Sequence, residues 1–382
     1  MRKIVLLFVL MVFSSGYTQV IDTWLGSRMD GSKLLDNNNV VEFWGYGEYS
    51  PGLWGITLPA PLLEYQKDDS VAIHFINDSP EDHTIHLHGL DVPTDMDGVP
   101  TTSFAVDPDD TAHYEFVADH AGIFLYHCHV LTTLHLTMGM YGMIVVHDGP
   151  GQFVFQGGPS YTDAYNFLNS DMDESVNTNP LSPGPFNEFQ MDYFMVNGLS
   201  GDQLYNNTNH HVFAHPGDSV LLRIGSMAYT KTTWIFPPEL NAIAYTSDGR
   251  VLPNSFECDT LVVHSGERYQ VLLTPYESVD TDIQVISTEN RNNIQQHTNL
   301  IRLNTDLGLE DKKEELIVFP NPSQGIFEIP LDISSDEYMI YSLDGRLIYN
   351  GNIDSNLINL SNLTSGSYLL KVDNLTAKIV IR

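Results

Sequence analysis

Between frequent breaks at glycine, proline, asparagine and aspartate, apolar and polar positions along this chain alternate with a period of two. "SVAIHFIND", "TAHYEFV", "GIFLYHCHV" and "YGMIVVHDG" each read as strands, because successive strand side chains point to opposite faces. No stretch shows the three-to-four spacing of a long amphipathic helix. A change of composition between 148 and 190, with "DGPGQFVFQGGPS" and "NTNPLSPGPFNE", predicts an inter-domain connection. Beyond it come "YFMVNG", "DSVLLRIGS", "NAIAYTSDG" and "CDTLVVHSGERYQVLLTP". The charged stretch "LEDKKEE" then leads to "GIFEIP", "YMIYSL", "RLIYNG", "SYLLKV" and "KIVIR", which alternate again. The pattern predicts an all-β protein: sandwich domains at 20–150 and 151–305, a linker at 306–315 and a small β module at 316–382.

Composition narrows the partners. The 382 residues suit two or three domains, and a hydrophobic content of 42% is enough to fill their cores. A net charge of −32 excludes nucleic acid, whose binding needs Lys and Arg against phosphate, and disfavours anionic membranes. "MRKIVLLFVLMVFSSGYTQ" has the charged start and short apolar run of a signal peptide over 1–19, and no later segment has transmembrane length. Export permits a disulfide, yet the two cysteines, Cys128 and Cys258, make no framework. Cys258 reads as a small buried residue.

Histidine placement supplies the chemistry. Of fifteen histidines, eight fall between 83 and 135. Six of those sit in two short clusters: "HTIHLHG" (His83, His86, His88) and "HCHVLTTLH" (His127, His129, His135), the second also holding Cys128. A lone strand histidine is ordinarily a surface residue or a satisfied one. Six in two clusters beside a cysteine form a metal-ligand pattern. Parity then divides them. His127 and His129 share one face while Cys128 takes the other; His86 and His88 share a face, and His83 points oppositely if its segment stays extended. Cys128, His83, His135 and a methionine are the ligand types of blue copper, two imidazoles and a thiolate in a plane with a weak axial thioether. Zinc is the competing ion, although its sites seldom recruit methionine. His86, His88, His127 and His129 offer four imidazoles to further copper, and Cys128 is covalently next to two of them.

"HTIHLHG", "DMDGVP", "GIFLYHCHV" and "HLTMGMYGMIVV" resemble the cupredoxin motifs of multicopper oxidases, a family including laccases and copper nitrite reductases, over roughly residues 60–150. The resemblance implies His83, Cys128, His135 and Met140 as type 1 copper ligands, with Met138 the other axial candidate. It also implies type 2 or type 3 copper on His86, His88, His127 and His129, the catalytic set. Six residues separate Cys128 from His135 where most members have four. That length resembles two-domain oxidases with blue copper in the first domain, which assemble as homotrimers and complete a trinuclear cluster between subunits. The second domain resembles the family's framework from about 190 to 275, but 226–247 lacks its histidine cluster and holds Lys231 instead. His210, His211, His215 and His264 read as turn and strand-edge residues, and only His297 follows 275.

The implied activity is one-electron oxidation of a small-molecule or metal-ion donor, with oxygen as acceptor. A blue-copper carrier without turnover is one alternative. A nitrite-reductase-like enzyme is the other: His88 and His127 match its site, while His86 stands where that family has a catalytic aspartate. The tail, with "IVFPNPSQGIFEI", "IYSLDGRLIYNG" and "LSNLTSGSYLLKV", resembles the C-terminal sorting domain of the type IX secretion system. That likeness implies passage through the secretion machinery to the cell surface or the medium.

Overall fold

The computed structural model describes residues 20–35, 39–52, 54–149, 151–214, 216–277, 280–288, 296–304, 318, 321, 323–329, 337–342, 347–353, 357–364, 366–372 and 375–381. The expected signal peptide and linker lie outside the described residues. Packing divides the chain into two compact units, Met1–Asp306 and Leu307–Arg382.

In the first part of the larger unit, β1 (Val20–Leu34), β2 (Val40–Glu48), β4 (Ser70–Asn77) and β6 (Thr111–Val117) form a sheet in the order β2-β1-β4-β6. Facing it, β3 (Leu63–Gln66), β5 (His86–His88), β7 (Gly122–His127) and β8 (Tyr141–His147) run in the order β3-β8-β7-β5. Val71, Ile73 and Phe75 of β4 and Tyr114 and Phe116 of β6 meet Phe124, Tyr126, Ile144 and Val146 between the sheets. Each such side chain removed from water is worth about 1.5–3 kcal/mol.

β7 is buried on both faces, which explains its unbroken apolar run. Phe124, Tyr126 and Cys128 face the core of this first sandwich. Ile123 and Leu125 face the other way, with Tyr141, Met143 and Val145 of β8, onto Leu168, Met172, Tyr193, Met195 and Met227. Alternation along one strand therefore sends odd and even positions into two different environments.

The later part of the unit is a second sandwich. One sheet runs Tyr193–Val196, Asp163–Met172, Val220–Ser226, Arg268–Leu273, Ile243–Ser247, Arg250–Glu257; the other runs Val212–Phe213, Gln296–Asn304, Asp280–Thr288, Lys231–Ile235, Thr260–Val263. The stretch 148–190 is thus more than a connection. Asp163–Met172 is a ten-residue strand paired on both sides, and its polar composition concealed it. A second correction concerns helix α1 (Thr132–Met138), a seven-residue helix in a region with no helical signal.

Asp171 on that concealed strand is 4% exposed. Its carboxylate accepts hydrogen bonds from the N–H groups of Tyr229 at 2.7 Å and Thr230 at 2.9 Å, and from the Thr230 hydroxyl at 2.8 Å. Burial still pushes its pKa from 3.8 up to about 6. A folded value above the unfolded one means that the stabilisation is complete below the unfolded pKa and lost as pH rises through the folded pKa. Asp171→Asn is expected to destabilise most near pH 4. The deficit should shrink by roughly 2–3 kcal/mol at pH 7, read from urea unfolding at both pH values.

The smaller unit has its own core of Phe327, Ile340, Ile358, Leu360, Leu370, Val372 and Ile379. Ile326–Glu328 pairs with Leu357–Asn359, and a four-stranded sheet runs Leu347–Asn352, Glu337–Tyr341, Gly366–Val372, Leu375–Ile381. The whole fold is all-β, as the alternation predicts.

Candidate metal centre

Cys128 is the first residue beyond β7, and its N–H donates to the carbonyl of Met140 at 3.1 Å. Between these two residues α1 makes a detour that ends beside its start. Leu131 opens it at φ 42°, a left-handed conformation costing a leucine about 1 kcal/mol. Gly139 closes it at φ 111°, where a Cβ would lie 2.8 Å from Leu58 Cδ1 and 2.9 Å from the Trp44 carbonyl. The detour sets His135 Nδ1 3.0 Å from Cys128 Sγ. His83, from the preceding loop, brings its Nδ1 to 3.6 Å from the same sulfur.

The three donor atoms lie within 4.8 Å of one another, and all three residues are buried. His83 Nε2 has no hydrogen-bond partner, and His135 Nε2 faces Glu81 Oε2 at 3.7 Å. Desolvation lowers the pKa of His83 to about 3 and of His135 to about 4, so both imidazoles are neutral. Burial pushes the Cys128 thiol up. Trp44 meets the His135 ring edge-on at 5.3 Å and fixes its tilt. Two neutral nitrogens and a sulfur, converging in a dry pocket, fit a copper ion. Met138 and Met140 are both fully buried in this core, and the Cys128–Met140 backbone pairing holds Met140 beside the cysteine.

The second set lies on the other side of the same strand. Antiparallel pairing of β5 with β7 puts His86 directly opposite His127. His86 Nδ1 donates to the Asp97 carbonyl at 2.6 Å, and His127 Nδ1 donates to the Cys128 carbonyl at 2.9 Å. A carbonyl only accepts, so each Nδ1 carries the proton and each Nε2 keeps a lone pair for a metal. Donor atoms of His86, His88 and His127 lie within 4.8 Å of one another. His129 borders this group, its ring 5.1 Å from His86 and 5.9 Å from His127. Its N–H donates to Thr84 Oγ1 at 2.8 Å. Desolvation lowers His86, His88 to about 4 and His127 to about 3.

Several neighbours of this set were not singled out from the sequence. Asp97 orients His86 through its main chain. Gly266, from the second sandwich, packs on His88 so closely that a Cβ would lie 3.1 Å from His88 Cε1. Arg268, 4% exposed, donates to the carbonyls of Gly266 at 2.6 Å and Ile123 at 3.4 Å and pairs with Asp248 at 3.2 Å. Its positive charge adds to desolvation in keeping His88 neutral. Arg268 is thus a cation beside the histidines, on a segment that the sequence did not mark.

The remaining histidines stand apart. His211 Nε2 donates to the Tyr205 carbonyl at 2.8 Å, His297 stacks on Phe194, His264 lies in an exposed turn and His210 ends a short 3-10 turn. His215 lies outside the described residues. Among the described residues, no histidine beyond 163 joins a converging donor group. Cys128 and Cys258 are both free and buried.

Residues 53–151, which contain both donor sets, match the family model for multicopper oxidases. This segment is a multicopper oxidase domain. Copper resistance protein A of Escherichia coli is 38% identical over 90 residues, covering 23% of this chain and 14% of that protein. Copper resistance protein A of Pseudomonas syringae pv. tomato is 26% identical over 255 residues, 57% of this chain and 41% of that protein. The chain therefore spans well under half the length of these relatives. The crystal structure of the blue copper oxidase from Nitrosomonas europaea superposes with a TM-score of 0.62 at 24% identity, covering 75% of this chain and 86% of that one. At that identity the likeness shows the fold alone, a cupredoxin architecture around the multicopper oxidase domain. Residues 317–382 match the model of a secretion system C-terminal sorting domain. Among the described residues no helix is long and apolar enough to cross a membrane.

Proposed function

We propose that the chain is an exported copper oxidoreductase. In this reading His83, Cys128, His135 and Met140 hold a type 1 copper, and His86, His88, His127 and His129 hold further copper. The activity is one-electron oxidation of a small-molecule or metal-ion donor, coupled to reduction of oxygen. The observation that carries it is the position of Cys128, covalently between His127 and His129 while its side chain joins the opposite donor set. Copper bound at Cys128 would supply one-electron redox chemistry with little rearrangement of its ligands.

The residues perform the rest. The Asp97 and Cys128 carbonyls hold His86 and His127 in the tautomer that leaves Nε2 free. Gly266 and Arg268 keep bulk water from one side of His88. The peptide bonds flanking Cys128 give a short covalent route between the sets. The sorting domain supports export through type IX machinery to the surface or the medium.

Convergence of three imidazoles, with His129 at the edge, favours a second reading: a single additional copper, as in a nitrite-reductase-like site. Metal analysis with turnover separates the readings. Three or four coppers per chain with oxygen uptake support the oxidase, and two with nitrite-dependent oxidation of a reduced dye support the alternative. One copper without turnover leaves an electron carrier. His127→Ala is expected to cut oxygen turnover about a hundredfold or more while the Cys128 site keeps its colour, since it removes a ligand from the second set only. Unchanged turnover would reject the route.

A further inference from the structure

The solvent face of the β2-β1-β4-β6 sheet carries another group of ligand-type side chains, remote in role from the buried sets. Strand register aligns Trp24, His74 and His113 in one row across β1, β4 and β6, and Asp22, Ala72 and Glu115 in the next row. Their alternate neighbours Ile73, Phe75, Tyr114 and Phe116 fill the core, so these six point outward. His74 Nε2 lies 2.6 Å from Asp22 Oδ1, and His74 Nδ1 lies 2.8 Å from His113 Nδ1. The Trp24 indole stacks on His74 at 4.3 Å. Ala72 points outward yet is only 5% exposed, so its larger neighbours close over it.

We propose that this row is a surface site for a cupric ion, ligated by Nδ1 of His74 and Nδ1 of His113, with Asp22 as a positioning residue. An imidazole nitrogen facing a carboxylate carries the proton, which leaves His74 Nδ1 unprotonated, with its lone pair toward His113. Carboxylate–imidazole pairs of this kind orient metal-binding histidines. His113 Nδ1 then supplies the hydrogen between the rings. When the ion enters, that proton moves to Nε2 of the same, exposed residue, and no net proton is released.

The spacing selects the ion. With metal–nitrogen bonds of about 2.0–2.1 Å, a nitrogen–nitrogen edge of 2.8 Å subtends roughly 90° at the metal. That is the cis angle of a tetragonal centre, the preference of Cu(II), and is narrower than the tetrahedral angle of zinc. Glu115, two positions along β6 from His113 on the same face, and water are available for the remaining positions. A net charge of −32 favours the approach of a cation. Asp91, Asp119 and His120 also converge, but Asp91 is paired with Arg250 at 2.6 Å and His120 with Asp119, so a cation there would have to break existing pairs.

The test uses the full chain with its slowly exchanging copper already loaded, titrated with cupric chloride. Wild type is expected to take up one further, chelator-labile copper per chain, to show a tetragonal resonance spectrum with imidazole nitrogens, and to lose tryptophan fluorescence. His74→Gln and His113→Gln should each weaken that uptake at least about tenfold, and Asp22→Asn about 10–100-fold. Trp24→Phe should keep the ion and lose most of the quenching, and the surface control His147→Gln should behave as wild type. If His113→Gln binds labile copper as wild type does, or wild type binds none, the two rings form a cross-strand hydrogen bond and nothing more.

Discussion

Replacing Cys128 by serine is expected to abolish the intense visible absorption proposed for the oxidised, copper-loaded protein and to lower copper affinity at that position by at least about a hundredfold. In the proposed set the thiolate would be the anionic soft donor beside two imidazoles and a weak thioether, and a serine hydroxyl does not ionise there to replace it. If electrons enter there as proposed, oxidation of any donor should fall by a similar or larger factor. The fold is expected to survive. Cys128 is fully buried, and a hydroxyl at that place can reach toward the Val130 carbonyl, which lies 3.9 Å from the sulfur. The cost is about 1–3 kcal/mol, visible in thermal unfolding of the metal-free protein. Cys258→Ser is the matching control. That thiol is 3.7 Å from the Ala242 carbonyl in the other sandwich, and its loss should leave the colour untouched. Retained absorption in Cys128→Ser, or its loss in Cys258→Ser, rejects the assignment of the sulfur ligand.

The second large effect falls on stability and on the His86 set together. Gly98 has φ +73°, and a Cβ there would lie 2.0 Å from the Ile85 carbonyl oxygen, 2.5 Å from its carbon and 2.7 Å from the His86 nitrogen. All three atoms are backbone, so no side chain can swing aside. The preceding residue holds the strand from the other direction, since the Asp97 carbonyl accepts from both Leu87 N–H at 3.3 Å and His86 Nδ1 at 2.6 Å. Gly98→Ala therefore pushes the loop off β5 and takes the His86 hydrogen bond with it. The expected destabilisation is about 3–5 kcal/mol, combining left-handed strain with a backbone overlap. In the metal-free protein this corresponds to a fall in unfolding temperature of roughly 5–10 °C. Copper should be lost first from the His86 set, with the Cys128 absorption per bound copper retained. An unshifted midpoint would mean that the loop relaxes freely and that Gly98 does not hold the Asp97 carbonyl on His86.

Much of the candidate site was legible because strand parity is strict. His127 and Cys128 had to face apart, and the structure sends one toward the second sandwich and the other into the core of the first. The pairing of His86 with His127 needed only that "HTIHLHG" and "GIFLYHCHV" be neighbouring strands. What escaped the sequence has two physical causes. Helix α1 is short, rich in threonine and stabilised by its surroundings rather than by propensity, so no periodicity announces it. Gly266 and Arg268 sit more than a hundred residues from His88, and nothing local marks a glycine that closes over an imidazole. Asp163–Met172 was hidden in the opposite way, as a strand between two sheet neighbours whose side chains are too polar to alternate visibly.

The packing of Gly266 and Arg268 over His88 also gives a role to a sandwich with no converging donor group among its described residues. It is a ceiling. Ending the chain after β8 would uncover Ile123, Leu125, Met143 and Val145 as a greasy wall and open His88 to the bulk. The second sandwich thus works for the first as shelter, covering both that apolar face and the His88 side of the donor set.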